Sequence, residues 1–305
     1  MIPLFSCFLF CQKKNKIMIF NSKTATGLKM MQIIDFHTHL LPPDCLNPTV
    51  QSFIKSINPS YYAEQDVFST DPDKFLSNLL DQGVHKAVVL PEHAPATSCN
   101  VPTEKVIEFC SSHNELIPFA SINPNLDPEP AGKLEYYIVK YNIKGLKLLP
   151  SYQFFYPNQP EMYPIYEIAQ KYSIPIVFHI GSSAFKGTRL KYCHPIYLDD
   201  MAVDFPDIPI VMAHSGRGFW YEQCFFLSRL HDNIYMDITG LPPQRLLHYF
   251  PELDKNSDKI IFGSDWPGIP VSINTLIETI KDLPLSTKTI EGILYKNASR
   301  ILTTN

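Results

Sequence analysis

The sequence lacks the features that mark several classes of protein. It has no stripe of lysine and arginine, and its formal net charge of −4 argues against a nucleic-acid partner. Its 7 cysteines are odd in number and include no Cys-x-x-Cys pair, which indicates reduced thiols in a cytoplasmic protein rather than a disulfide framework. The apolar run at residues 2–10 is too short to span a bilayer, so we expect no membrane partner. Lysines follow this run, whereas they precede the apolar core of a secretory signal.

Residues 1–30 differ from the rest of the chain. Met30 and Met31 stand directly before the first apolar run of strand type. We expect residues 1–30 to be an extension that is disordered or that precedes the true start of translation, with a short membrane tether as the alternative. Residues 31–305 are expected to form one domain, because no linker or shift of composition divides them.

From residue 32 onward, short β-branched apolar runs alternate with amphipathic stretches. The runs predict eight strands, at residues 33–37, 86–90, 116–121, 145–149, 175–179, 208–214, 234–238 and 260–265. The amphipathic stretches predict helices at residues 101–113, 129–141, 161–172, 194–205, 218–231, 243–253, 271–281 and 287–302. Near-continuous apolar strands are typical of a parallel sheet covered on both faces, and eight strand–helix units close into a barrel. We therefore predict a single-domain α/β protein with a (β/α)8 TIM barrel, which typically needs about 250 residues.

Two further features of this pattern concern the fold. A doubly wound open sheet is the alternative, and the absence of a glycine-rich phosphate loop after the first strand argues against it. The connection at residues 40–71 is long and contains several prolines. It is expected to be either a lid or pocket wall at the top of the barrel, or an ordinary surface excursion that buries its own aromatic side chains.

Polar side chains capable of chemistry stand at the ends of five predicted strands. They are His37 and His39 of strand 1, Lys147 of strand 4, His179 of strand 5, His214 of strand 6 and Asp265 of strand 8. The carboxyl ends of barrel strands open onto one face, where such enzymes place their active sites. Imidazoles and a carboxylate around an open position suit a Zn²⁺-like ion that keeps a water, whose lowered pKa makes hydroxide available at neutral pH.

The motifs around these residues resemble those of the amidohydrolase superfamily. They are His37-Thr38-His39, Val177-Phe178-His179, Met212-Ala213-His214-Ser215-Gly216 and Gly263-Ser264-Asp265-Trp266-Pro267. Their order and spacing are most similar to the amidohydrolase-related branch, which also holds aminocarboxymuconate-semialdehyde decarboxylase. The resemblance implies that His37, His39, His179 and Asp265 are metal ligands, and that His214 and Asp265 are catalytic as acid or base.

The resemblance also bears on the number of metal ions. In binuclear relatives a carboxylated lysine on strand 4 bridges two metals, and Lys147 occupies that strand. The branch that this chain resembles usually holds one metal, which makes Lys147 a positive charge near the site or a substrate contact. We expect one divalent metal, zinc in the first place, with manganese as the alternative.

Four residues after the strands are candidates for substrate binding. Arg217 and Arg189 follow strands 6 and 5, where a guanidinium could bind a substrate carboxylate or could pair with surface carboxylates. Tyr152 and Trp266 could line an aromatic pocket or could pack over the barrel top.

The sequence therefore predicts a metal-dependent hydrolase that attacks an amide, ester or lactone carbonyl of a small molecule through metal-bound hydroxide. The alternative is a non-oxidative decarboxylase of a small aromatic or unsaturated carboxylic acid on the same site. A pair of pocket arginines would favour that alternative. A metal-free barrel that only binds a ligand is a third interpretation, which the complete set of strand-end residues makes improbable. The sequence leaves open whether the barrel is a monomer or a homodimer that associates through its outer helices.

Overall fold

The computed structural model of the protein describes residues 31–303 except 65 and 67, so the extension predicted at residues 1–30 lies outside the described residues. Over the described part, the strands are β1 (Ile34–His39), β2 (Lys86–Leu90), β3 (Glu92–His93), β4 (Asn100–Val101), β5 (Leu116–Pro118), β6 (Ala120–Ser121), β7 (Leu146–Leu148), β8 (Ile176–Gly181), β9 (Ile210–Arg217), β10 (Ile234–Asp237) and β11 (Ile260–Ile261). The α-helices are α1 (Pro48–Ile57), α2 (Pro59–Glu64), α3 (Pro72–Asp81), α4 (Thr103–Cys110), α5 (Pro130–Tyr141), α6 (Pro150–Gln153), α7 (Tyr163–Lys171), α8 (Tyr197–Asp204), α9 (Tyr221–Leu230), α10 (Leu246–Tyr249), α11 (Ile273–Lys281), α12 (Thr287–Glu291) and α13 (Asn297–Thr303).

The parallel strands form a closed barrel. Strands β1, β2 and β5 pair in that order, and β6 to β11 pair in chain order. The chain at Phe119 joins the two groups. The amide of Phe119 donates to the carbonyl of Val89 in β2 at 3.2 Å, and the amide of Ala120 donates to the carbonyl of Gly145, directly before β7, at 2.9 Å. The other seam lies between β1 and the residues after β11, where the amide of Asp265 donates to the His37 carbonyl at 2.9 Å. The (β/α)8 barrel predicted from the sequence is confirmed.

Some predicted elements differ in extent from the observed ones. The predicted strand 116–121 is divided at Phe119 into β5 and β6, because the chain changes partner there from β2 to β7. The predicted strand 260–265 ends at Ile261, because the amide of Phe262 donates at 3.0 Å to the carbonyl of Ile293, in the π-helical turn between α12 and α13. The helix predicted at 243–253 is a 3-10 turn followed by the single turn α10.

The centre of the barrel is filled by apolar side chains from several strands. Phe36 of β1, Val88 of β2, Val177 of β8 and Val211 of β9 are fully buried in one cluster. The ring of Phe119 meets that of Phe36 edge to face, with the centroids 5.8 Å apart. Such a packed interior provides the rigid base on which the carboxyl ends of the strands are held.

Two observations concern the environment of the chain. The 5 cysteines among residues 31–303 are free thiols. Within the same residues, no helix combines the length and the apolar character needed to cross a bilayer.

Gly145→Ala tests the packing at the junction of β5 and β6. A Cβ atom at Gly145 would lie 2.2 Å from the ring of Phe119, so the buried ring must shift. We expect a loss of about 1–3 kcal/mol in the free energy of unfolding, measured by urea denaturation. Gly132→Ala is the matched control, since nothing lies within 4 Å of its added Cβ in α5. Equal stabilities for the two variants would contradict the packing argument.

Candidate metal centre

The side chains of His37 and His39 converge with that of Asp265 at the carboxyl ends of β1 and β11. The Oδ1 atom of Asp265 lies 3.2 Å from Nε2 of His39 and 3.8 Å from Nε2 of His37. Each of the three residues offers one ligand atom, and these three atoms lie within 4.8 Å of one another. These residues could hold a divalent metal ion, as the sequence predicts.

The backbone brings these side chains together through a bulge in β1. Asp35 pairs with Ala87 and Thr38 with Val89, so β1 carries one more residue than β2 over this stretch. The amide of His37 donates instead to the side chain of Asp35 at 3.1 Å, and the same carboxylate oxygen accepts from the amide of Ser264 at 3.0 Å. Asp35 thus fastens the bulge to the chain beside Asp265.

Asp237 orients the imidazole of His37 and was missed by the sequence analysis. Its Oδ2 atom lies 2.6 Å from Nδ1 of His37, and Nζ of Lys147 lies 3.3 Å from Nε2 of the same ring. A lysine ammonium only donates, so Nε2 carries the lone pair and Nδ1 carries the proton that Asp237 accepts. This is the arrangement by which a carboxylate fixes the tautomer of a metal-ligating histidine.

A glycine makes room for this pair. A Cβ atom at Gly263 would lie 2.5 Å from Cβ of His37 and 2.7 Å from Oδ1 of Asp237. A larger residue would therefore separate the imidazole from the carboxylate. The signal in the sequence was present but indirect, as an aspartate inside an otherwise apolar strand.

His179 and His214 form a second, hydrogen-bonded pair of imidazoles. Nδ1 of His214 lies 3.1 Å from the carbonyl of Thr239, which can only accept, so this nitrogen carries a proton. Nε2 of His214 lies 3.1 Å from Nδ1 of His179 and must then accept from it. The lone pair of His179 is left on Nε2, which is buried and has no hydrogen-bond partner.

The unpartnered Nε2 of His179 shows whether these residues fit a metal ion. A buried imidazole nitrogen without a partner is costly, unless a ligand satisfies it. His179 lies outside the 4.8 Å group of His37, His39 and Asp265, and its role as a ligand remains a prediction. The nitrogen and oxygen donors and the orphaned lone pair together fit a divalent ion.

The charges of the site follow from burial. Burial lowers the pKa of His37, His179 and His214 well below the usual range, and the positive charge of Lys147 or Arg217 lowers it further. All of these imidazoles are therefore neutral at pH 7, the state that binds metals. Burial opposes ionisation of Asp265, but the hydrogen bond from His39 and the neighbouring imidazoles hold its pKa well below the usual value.

Three residues at the candidate site have a strained backbone. His214, Ser215 and Asp265 adopt left-handed φ angles of 67°, 46° and 62°. His179 of β8 pairs with Ala213 of β9, and Gly181 pairs with Arg217. Between these two pairs β9 has two more residues than β8, so β9 bulges there, and the bulge contains His214. Such strain persists only where the surroundings impose it, and it is concentrated at functional sites.

The residues predicted to bind substrate occupy different positions. Arg217 is partly buried, and its guanidinium donates to the Ser182 carbonyl at 2.9 Å. The ring of Tyr152 lies 4.8 Å from that of His179, at the site. In contrast, the ring of Trp266 packs 4.7 Å from Phe75 of α3, and Arg189 is exposed over the ring of Phe154. The structure therefore brings Arg217 and Tyr152 to the metal centre, but not Trp266 or Arg189.

The sequence model of the family described as Amidohydrolase matches residues 34–303. The chain belongs to the amidohydrolase family. The match confirms the resemblance inferred from the four motifs. A search of curated proteins found no match.

Solved structures similar to this amidohydrolase share its fold. An uncharacterized TIM-barrel protein from Bordetella bronchiseptica has a TM-score of 0.73 at 20% identity, over 89% of this chain and 98% of its own. A 2,6-dihydroxybenzoate decarboxylase from Rhizobium has a TM-score of 0.68 at 16% identity, over 90% and 99%. A 5-carboxyvanillate decarboxylase from Novosphingobium aromaticivorans, complexed with manganese, has a TM-score of 0.67 at 12% identity, over 91% and 97%. At these identities the likeness establishes the fold alone.

Asp237→Asn tests whether this carboxylate prepares His37 for a metal ion. The amide loses the negative charge that favours a proton on Nδ1, so we expect the affinity for Mn²⁺ to fall by about 10- to 100-fold in calorimetric titrations of this amidohydrolase. Asp232→Asn makes the same change at an exposed position before β10 and should leave the affinity unchanged. Wild-type affinity in Asp237→Asn would show that the hydrogen bond does not serve the metal.

Proposed function

We propose that this amidohydrolase is a metal-dependent, non-oxidative decarboxylase of small aromatic or unsaturated carboxylic acids. The observation that carries the proposal is the position of two cationic side chains, Lys147 and Arg217, beside the buried imidazoles. Besides burial, which has the largest effect, both charges lower the pKa of His37 and His179. A substrate carboxylate that enters the site would therefore have two cationic side chains with which to pair.

This proposal reverses the order of the two functions inferred from the sequence. The sequence favours hydrolysis because Arg217 and Arg189 are its only candidates for a pair of pocket arginines, and Arg189 lies exposed. Lys147, however, is 1% exposed and provides the second cation next to Arg217. The names of two similar structures, which are decarboxylases of hydroxylated aromatic acids, support the same choice.

The metal would be bound by residues of β1 and of the chain after β11. We propose one divalent ion, manganese or zinc, held by His37, His39 and Asp265, with His179 as a fourth ligand. When bound, the ion would supply positive charge that stabilises the electron pair left on carbon as the carboxyl group departs.

The chain's own side chains would bind the acid and supply a proton. The carbon–carbon bond breaks, CO₂ leaves, and the carbon that keeps the electron pair takes up one proton. Burial lowers the pKa of Lys147 to about 8, so its Nζ still holds a transferable proton at neutral pH. Ionised Asp265 and neutral His214 can each accept a proton, which is the acid–base role predicted for them.

Isotope labelling distinguishes decarboxylation from hydrolysis. We expect a panel of hydroxybenzoates and unsaturated acids, each labelled with ¹³C in the carboxyl group, to release ¹³CO₂ on incubation with the manganese-loaded protein. In D₂O the product should carry one deuterium on the carbon that lost the carboxyl group, and in H₂¹⁸O it should gain no oxygen. Products of esters, amides or lactones that contain one ¹⁸O, with no ¹³CO₂ from any acid, would establish hydrolysis instead. Asp265→Asn is the inactive control.

Gly240→Ala tests the role of Arg217 without changing its charge. A Cβ atom at Gly240 would lie 2.3 Å from Nη1 of Arg217, so the guanidinium must move. We expect KM for the best acid of the panel to rise about tenfold or more, as in Arg217→Gln. Gly83→Ala is the control, because Gly83 also has a positive φ, of 87°, but nothing lies within 4 Å of its added Cβ. An unchanged KM in Gly240→Ala would remove Arg217 from the binding site.

A further inference from the structure

The segment after β1 is held by loops on several sides of the open face of the barrel. We call residues 46–62 the roof segment. At its start, Leu46 pairs with Cys99 in an antiparallel bridge, within the connection that follows β2. At its end, the hydroxyl of Tyr62 donates at 2.9 Å to the carbonyl of Gly268, in the connection after β11. Between them, the ring of Phe53 on α1 lies 5.3 Å from the ring of Phe185, in the connection after β8.

The contact between Phe53 and Phe185 joins connections that follow opposite strands of the barrel. When β5 and β6 are counted as one barrel strand, β8 is the fifth of eight. It therefore stands opposite β1, with three strands between them on either side. Phe53 belongs to the connection after β1, and its ring nevertheless meets a ring from the connection after β8. The connections after β1 and β8 therefore meet at the open face of the barrel, the face to which the ends of β1 bring His37 and His39.

A series of rings leads from the roof segment down to the metal centre. Phe185 packs on Leu149, Ala94 and Tyr152, and the centroid of its ring lies 6.2 Å from that of Tyr152. Tyr152 in turn lies 4.8 Å from His179, and its hydroxyl donates at 2.7 Å to Ser183. The oxygen of Ser183 accepts from the amide of Phe185 at 3.0 Å, which fixes the loop under the roof segment. Phe185 is thus positioned between the roof segment and the wall beside His179.

We propose that Phe185, held in place by Phe53, forms the ceiling of the substrate pocket and restricts the substrate to acids with a single ring. The proposal rests on the proposed function, because it specifies the size of the carboxylic acid. Of the two interpretations of the long connection, it selects the pocket wall over the surface excursion. Removing the Phe185 ring should open space for a second fused ring, because an apolar wall discriminates by volume.

Binding of two acids of different size tests the ceiling. Salicylate has one ring, and 3-hydroxy-2-naphthoate carries the same groups on two fused rings. In calorimetric titrations of the manganese-loaded protein, wild type should bind salicylate more tightly than 3-hydroxy-2-naphthoate. Phe185→Ala should lower the ratio of the naphthoate Kd to the salicylate Kd by about tenfold or more. Phe226→Ala, which removes an exposed ring from the outer helix α9, should leave the ratio unchanged. Equal affinities in wild type, or no change of the ratio in Phe185→Ala, would overturn the proposal.

A second measurement separates failure of the ceiling from failure of the proposed function. Diethyl pyrocarbonate reacts with the lone pair of a neutral imidazole, and His179 keeps such an unpartnered lone pair on Nε2 beside the metal centre. We expect Phe53→Ala to raise the rate of His179 modification several-fold, as measured by mass spectrometry on the protein after a chelator has removed bound metal, with Phe226→Ala again as the control. If neither acid binds but this rate rises, the ceiling stands and the carboxylic acid substrate is wrong. An unchanged rate in Phe53→Ala would overturn the ceiling whatever the acids do.

Discussion

The organisation of the site depends on a requirement of buried imidazoles, which is that each ring nitrogen needs a partner other than water. For His37 the partners are the Asp237 carboxylate, which accepts from Nδ1, and the Lys147 ammonium, which donates to Nε2. For His214 they are the Thr239 carbonyl and the proton of His179. Each partner also decides which nitrogen carries the proton, so the hydrogen bonds that make burial tolerable also set the direction of every lone pair. The same bonds leave the lone pairs of His37 and His179 available to a cation.

The backbone is distorted in order to satisfy this requirement. Regular strands would place side chains at a fixed period of two, but β1 and β9 each contain a bulge next to the histidines that they contribute. The end of β10 contacts both imidazole pairs, since Asp237 binds His37 and the Thr239 carbonyl binds His214. Glycines at 240 and 263 leave the space in which those contacts close. Strain, bulges and missing side chains are concentrated within this small part of the molecule.

Much of the architecture could be predicted from local patterns, because the apolar runs and the polar residues at their ends are both short-range signals. These signals identified the barrel, and they identified His37, His39 and Asp265, which the structure brings together. They missed Asp237, because a buried carboxylate inside an apolar strand is recognisable only when its partner 200 residues away is known. They could not tell that the Trp266 ring packs outward on Phe75, since the direction of a side chain after a strand end depends on the left-handed turn at Asp265.

The seam of the barrel has a consequence for folding. The donors of the metal centre come from the first strand and from the chain after the last strand, and the amide of Asp265 bonds the His37 carbonyl across that seam. The set of donors is therefore incomplete until the two ends of the barrel have met. A cation that binds there recognises the closed barrel and not the open chain, so its binding free energy adds to the stability of the closed state by mass action. Assembly of the candidate metal centre and closure of the barrel are thus the same event in this protein.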